Sequence, residues 1–354
     1  MRLLTNISST DPLTVPLNDP EAISLFSSDD ALHVDPRVYH RETGALGLPE
    51  FGTRITRSVL EETRPKNFSD LVIISGLTHG TDVWSGNAQD LVRNGHPLEE
   101  VIGCRDDIMV YLLNHDLPPK DAFDIMEQVR KGKVAKGQCA KWPAYEEEMR
   151  EHNVPDWYIN SCAKIMYMFP KAHAVAYVMM AVRIAWYKVH EPHNFYIQFL
   201  SLRCDAYEID TMTKGLEAIQ DRMQNIQSRL NDRSGNSEPV SNKEKALFDT
   251  LEVCEELYAR GYRISNVDLY RSKATVFTVD ENDSHILIPP FTVIDGLGAN
   301  VARSIEEARC HGEFLSKEDI LKRTQLSTSL LRRLEIMGCL NGLQESNQIS
   351  LFNL

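Results

Sequence analysis

No two of the seven cysteines stand in CxxC spacing; they are scattered at 104, 139, 162, 204, 254, 310 and 339. Neither a zinc knuckle nor a disulfide framework is indicated, and reduced thiols packed as small hydrophobes are expected. Positive charge is also scarce. Lys and Arg number 38 against 51 Asp and Glu, a formal charge of −13. That argues against a polyanion binder working by bulk charge, but not against a local site of backbone amides and a few arginines. The opening "MRLLTNISSTDPLTVPLNDPE" lacks a long apolar run, so no signal peptide is expected. The most apolar stretch, "FPKAHAVAYVMMAVRIAWYKVH" (Phe169–His190), carries Lys171, His173, Arg183 and Lys188. Its unbroken apolar part is below the ~18 residues a membrane span needs. A buried helix, no membrane partner and a cytoplasmic location are expected. What is present, 354 residues at 42% hydrophobic and 25% charged, is ordinary globular composition, long enough for two or three domains.

The periodicity predicts a mainly α fold with small β elements. Residues 1–48, with several Pro, Asp and Gly, read as a connector with short helices, one of them capped at Asp19 with Pro20 at its first position. From Pro49 to about Cys204 the pattern is mostly helical, with breaks that include Gly76, Gly80, Pro118-Pro119, Gly132 and Pro170. "SGLTHGTDVW" reads as a glycine-flanked loop carrying Ser75, Thr78 and His79. Helices continue to a polar loop, "NDRSGNSEPVSNK", and then to an amphipathic helix ended by Gly261. "KATVFTV" and "HILIP" alternate like short strands.

Near the carboxyl end, "FTVIDGLGANVARSIEEARCHGEF" has the spacing of a helix-hairpin-helix. Gly296 and Gly298 permit a tight turn whose amides approach a phosphate, Leu297 anchors it, and Lys273, Asn300 and Arg303 are candidate donors. A plain helix-joining turn is the competing reading. A weaker second hairpin, "LSTSLLRRLEIMGCLNGL", brings Arg332 and Arg333. Tandem hairpins straddle a duplex backbone without reading bases, so binding should be sequence-independent and salt-sensitive. The last residues, "QISLFNL", set Gln348, Leu351 and Phe352 in a Q-x-x-L-F arrangement that resembles the short peptide by which bacterial replication and repair proteins hold the sliding clamp. A tail folded back on its own domain is the alternative.

Pro170 suits a helix start and leaves Lys171 and His173 in the first turn, where backbone amides lack intrahelical partners. A phosphate there would meet free N–H groups, the helix dipole and a cation. Tyr177, four residues beyond His173, shares its face. A merely solvated helix start is the competing reading. In "GCRDDIMVYLL", Arg105 is either half of a local ion pair or a fork onto phosphate oxygens. Asp106 and Asp107 point about 100° apart on a helix and are poor metal co-ligands.

In this order, "PEFGTR", "ISGLTHGTDVWSGNAQDL", "EVIGCRDDIMVYLL", the Phe169–His190 stretch, "VDLYRS", "IPPFTVIDGLGANVA" and "GEFLSKEDI" resemble the carboxyl-terminal third of the PolC-type family of C-family DNA polymerase III alpha subunits. The resemblance covers nearly the whole chain. It implies a connector from palm and thumb at 1–48 and a helical fingers domain at 49–205. An α+β duplex-binding domain would follow at 206–347, with tandem hairpins near 291–342, and a clamp-binding tail at 348–354. It implies that Arg105, Lys171, His173 and Tyr177 face an incoming dNTP, with primer–template DNA, the sliding clamp and a palm-containing part of the polymerase as partners. The palm's D-x-D pair is absent from this sequence. The resemblance therefore implies that Mg2+ binds only with palm carboxylates from elsewhere, and that this piece is inactive alone. A non-enzymatic DNA- and clamp-binding adaptor is the alternative.

Overall fold

The computed structural model describes residues 1–232 and 237–347. Among them helices dominate, and the β structure is a three-stranded sheet. The chain divides into two compact units: residues 10–33 with 41–190, and residues 1–9 with 34–40 and 191–354.

The first unit is built on two central helices. Phe68–His79 is apolar on all sides ("FSDLVIISGLTH"), and a helix of that kind must be buried. Its residues 70–77 are buried, and the Asn67 side chain accepts from the Asp70 amide at its start. The second, Lys171–His190, buries Ala174, Val178, Ala181, Val182 and Ala185 along one face and packs on Phe68–His79. Small residues on that stripe let the helices approach closely. Gly76 does not break its helix. A Cβ there would stand 2.4 Å from the Gly103 carbonyl oxygen and 2.6 Å from Cys104 Sγ. The glycine is a packing contact with the loop that leads into the helix Arg105–Asn114. Ser75, Thr78 and His79 accordingly lie on the helix, and the loop begins at Gly80, a correction to the loop expected at "SGLTHG". Lys188 is fully buried, its ammonium donating to the carbonyls of Gly44 (2.8 Å) and Leu46 (2.6 Å).

The second unit contains the helices Pro192–Leu202, Leu216–Asn231 and Asn242–Ala259. The last carries a capping box between Ser241 and Glu244. Its sheet has the order β1-β3-β2, with β1 Arg263–Ile264, β2 Thr278–Val279 and β3 Ile286–Ile288. The expected strand pair is present, antiparallel, with Val279 opposite Leu287. The parallel strand β1 was not anticipated, and two residues leave no alternation to read. The helices Ala299–Arg309, Lys317–Arg323 and Thr328–Ile336 follow.

Residues 1–48 bury Leu4 in one unit and Leu25, Phe26 and Ala45 in the other. The compact units divide at His190–Glu191. Pro192 starts a new helix that packs on Arg2–Ile7 and β2.

Candidate nucleotide and nucleic-acid sites

The starts of two helices meet in the first unit. The Arg105 amide donates to the Phe169 carbonyl at 3.2 Å, which joins the head of Arg105–Asn114 to the residue before Pro170. Across this junction the Lys171 amide donates to an Asp106 carboxylate oxygen, and Lys171 Nζ donates to Asp107, both at 2.8 Å. Asp107 also accepts from the Cys104 amide at 2.6 Å. Arg105 Nε lies 3.8 Å from Asp106. Two cations and two carboxylates thus converge where two helix dipoles point outward. The Lys171 amide, expected free, is already capped by an anion, and the Lys171 ammonium is paired while half-exposed. Asp107 beside it holds the Lys171 ammonium above the ordinary lysine value, so it stays charged. Burial pushes the neighbouring Cys104 thiol up to about 12, which leaves it neutral.

His173 and Tyr177 meet as predicted, with His173 Nε2 and the Tyr177 hydroxyl 3.2 Å apart. Three further residues complete the cluster. Tyr177, Phe169 and His79 form a near-parallel set, with centroids 5.8 Å apart for His79–Tyr177 and 5.2 Å for His79–Phe169. His79 Nδ1 donates to the Ser75 carbonyl at 2.7 Å, and Nε2 stands 3.0 Å from a Glu50 carboxylate oxygen. Glu50 holds φ at 64°, an unusual backbone for a side chain with a Cβ. His79 was legible as a candidate in "LTHG". Glu50 and Phe169 had no local signal, because their roles come from pairing at long sequence separation. Ser75, by contrast, is fully buried.

In the second unit, Gly296 has φ 82° and is followed by buried Leu297, as expected of the turn. Gly298 is extended, and a Cβ built on it meets nothing within 4 Å, so that face is open to an approaching group. The segment before the turn is a single 3-10 turn, Phe291–Val293, in place of a full first helix. Arg303 donates to Asn300 at 3.0 Å and lines, with Lys273 and Glu306, a groove of about 770 Å³. Lys273 is paired with Glu306 at 3.3 Å. Arg332 is exposed. Arg333 donates to the Asp295 carbonyl at 3.0 Å, which ties the second hairpin to the first turn. The Asp295 carboxylate is held by Lys243 at 2.8 Å, a cation that sequence spacing did not single out. Gln348, Leu351 and Phe352 lie outside the described residues.

Among the described residues no group of three or more His, Cys, Asp and Glu side chains is arranged to hold a metal ion. Asp106 and Asp107 are taken up by backbone amides and Lys171, so the residues present do not fit a two-magnesium centre. No helix of the described residues is long and apolar enough to cross a membrane.

Two family models match the chain. The one described as the bacterial DNA polymerase III alpha subunit finger domain covers residues 2–153, and a helix-hairpin-helix motif covers residues 261–349. The chain is 52% identical over 353 residues to the PolC-type DNA polymerase III of Bacillus subtilis, covering 99% of this chain and 24% of that protein. Identity is 51% over 353 residues, with the same coverage, to that of Oceanobacillus iheyensis. It is 49% over 354 residues, 100% of this chain and 24% of the relative, for Streptococcus mutans. The chain thus spans about a quarter of the length of the curated relatives it matches.

Proposed function

The chain carries the fingers and helix-hairpin-helix domains of PolC-type DNA polymerase III, and from that premise we propose that it positions the incoming dNTP and grips primer–template DNA during template-directed synthesis. The observation that carries this reading is the convergence of Arg105 and Lys171 at two adjoining helix starts. Asp106 and Asp107 occupy there the places that phosphate oxygens would take. A triphosphate would displace them and meet the Lys171 ammonium, the Arg105 guanidinium and the released amide together. During in-line attack of the primer 3′-oxygen on the α-phosphate, these groups would hold the phosphates and offset developing charge. The stacked rings of Phe169, Tyr177 and His79, with His173 edge-on, offer an aromatic wall beside them. The open face at Gly298 and the cations Lys273, Arg303 and Arg332 would hold the duplex backbone, and Gln348, Leu351 and Phe352 the sliding clamp. Carboxylates and their Mg2+ would come from a palm on other polypeptide, so this chain alone would be inactive. Its place of action would be the cytoplasm, where the template is.

A titration with a fluorescent dNTP and a separate one with a labelled hairpin duplex test the assignment. Saturable binding of both is expected. Duplex binding without nucleotide binding would favour a non-enzymatic DNA- and clamp-binding adaptor.

A further inference from the structure

Between the helices Pro119–Arg130 and Trp142–Glu151 the sequence "RKGKVAKGQCAK" (130–141) places five cations in a row without one acidic residue, in a chain of net charge −13. Nothing assigned so far uses them. The segment is folded by its own backbone: the Lys133 amide donates to Gln128, Lys136 to Gly132 and Gln138 to Lys133, at 2.8–3.1 Å. Val134 is buried and anchors the coil, while Lys131, Lys133, Lys136 and Lys141 are exposed. Glu127 takes up Arg130 and Lys131. No ion pair holds Lys133, Lys136 or Lys141 among the described residues. The next helix carries Glu146, Glu147 and Glu148, so the positive field is local to the loop.

Its position is fixed against the segment that leads into the Lys171 helix. Gly132, at φ 66°, lies so close to Met166 that a Cβ would stand 2.2 Å from the Met166 carbonyl oxygen. The Met168 amide donates to the Arg130 carbonyl at 3.3 Å. Between them Tyr167 presents its ring at 48% exposure. Tyr167 is thus a half-exposed ring beside the start of a loop that goes on to carry the exposed Lys133, Lys136 and Lys141. A ring next to a cationic loop is a combination that holds single-stranded nucleic acid: cations track phosphates and the ring stacks a base. Tyr167 is four residues from Lys171, at most about 14 Å along the chain.

We propose that the loop 130–141 together with Tyr167 is a single-stranded DNA contact, through which unpaired strand is held beside the nucleotide site. The proposal does not require Lys171 to bind a triphosphate, so a K171A chain should keep it.

The test is fluorescence anisotropy of the full chain with labelled oligo-dT and with a hairpin duplex, across a salt series. Each phosphate contact to a single strand contributes about 0.7 to the log–log salt slope. Charge reversal in K133E/K136E/K141E should reduce the slope by about 2 and weaken oligo-dT binding at least tenfold at low salt. Duplex affinity should change less than twofold. Y167A should weaken oligo-dT binding about fivefold or more. These side chains are exposed, and an unchanged circular dichroism spectrum and melting temperature would verify folding. Unchanged oligo-dT affinity and slope in the triple variant would overturn the proposal. So would equal losses for single strand and duplex, or wild-type binding blocked as well by inorganic polyphosphate as by oligo-dT with Y167A unaffected.

Discussion

Lys171→Ala offers the sharpest test of the nucleotide site. In the free chain the Lys171 ammonium is bonded to Asp107 at 2.8 Å and half-exposed, so that pair is worth only about 0.5–1 kcal/mol. A charge-assisted hydrogen bond from the same ammonium to a phosphate is worth about 1.5–3 kcal/mol. The difference, about 1–2 kcal/mol, is what the alanine variant should lose, or about 5–30-fold in dNTP affinity. Asp107→Asn should act in the opposite direction. It keeps an oxygen for the Cys104 amide, removes the competing charge, and should tighten dNTP binding about 2–5-fold. Because Asp107 raises the lysine's pKa, Lys171 contributes fully below the ordinary lysine value and loses its contribution only as pH rises past the raised one. Neither effect should therefore change between pH 7 and 9. The assay is polarisation of a fluorescent dNTP titrated with each variant. Wild-type affinity in Lys171→Ala, or weakened binding in Asp107→Asn, would refute the exchange of carboxylate for phosphate.

The two hairpin glycines should separate stability from binding. Gly296→Ala forces a Cβ onto φ 82° and should cost about 1–2 kcal/mol, read as a lower melting temperature. Gly298→Ala has ordinary φ and open space, so it should melt like wild type yet bind duplex more weakly in an anisotropy titration. Glu244, bonded to Arg229 and the Ser241 amide, is depressed to about 2, and Glu127, bonded to Arg130, likewise. Depressed carboxylates stabilise above their unfolded value and lose that contribution as pH falls through the folded one. Melting temperature should therefore drop between about pH 4.5 and 2, less steeply in Glu244→Gln, which should cost about 1 kcal/mol at neutral pH. Phe352→Ala should abolish binding to an immobilised sliding clamp and leave duplex affinity unchanged.

Much of this was legible in the sequence because it depends on neighbours along the chain. Pro170 before Lys171, the Asp19 cap, the Gly261 stop and the Gly296–Leu297–Gly298 turn all express local backbone chemistry. Gly76 reads locally as a break, but its reason is a carbonyl 27 residues away, at Gly103. The partners of Lys171 are hidden in the same way. Asp106 and Asp107 carry no local sign of their acceptor role, which depends on a helix 65 residues on. Lys243 meets Asp295 across 52 residues, and no periodicity encodes that.

Whether this chain needs a palm from other polypeptide is decided by primer extension with mixed components. No extension is expected from this chain with primer–template, dNTPs and Mg2+, and template-directed extension is expected once a palm-containing segment of a PolC-type relative is added. Extension by the chain alone, or none from the folded mixture, would rule out the division of labour between this chain and the palm.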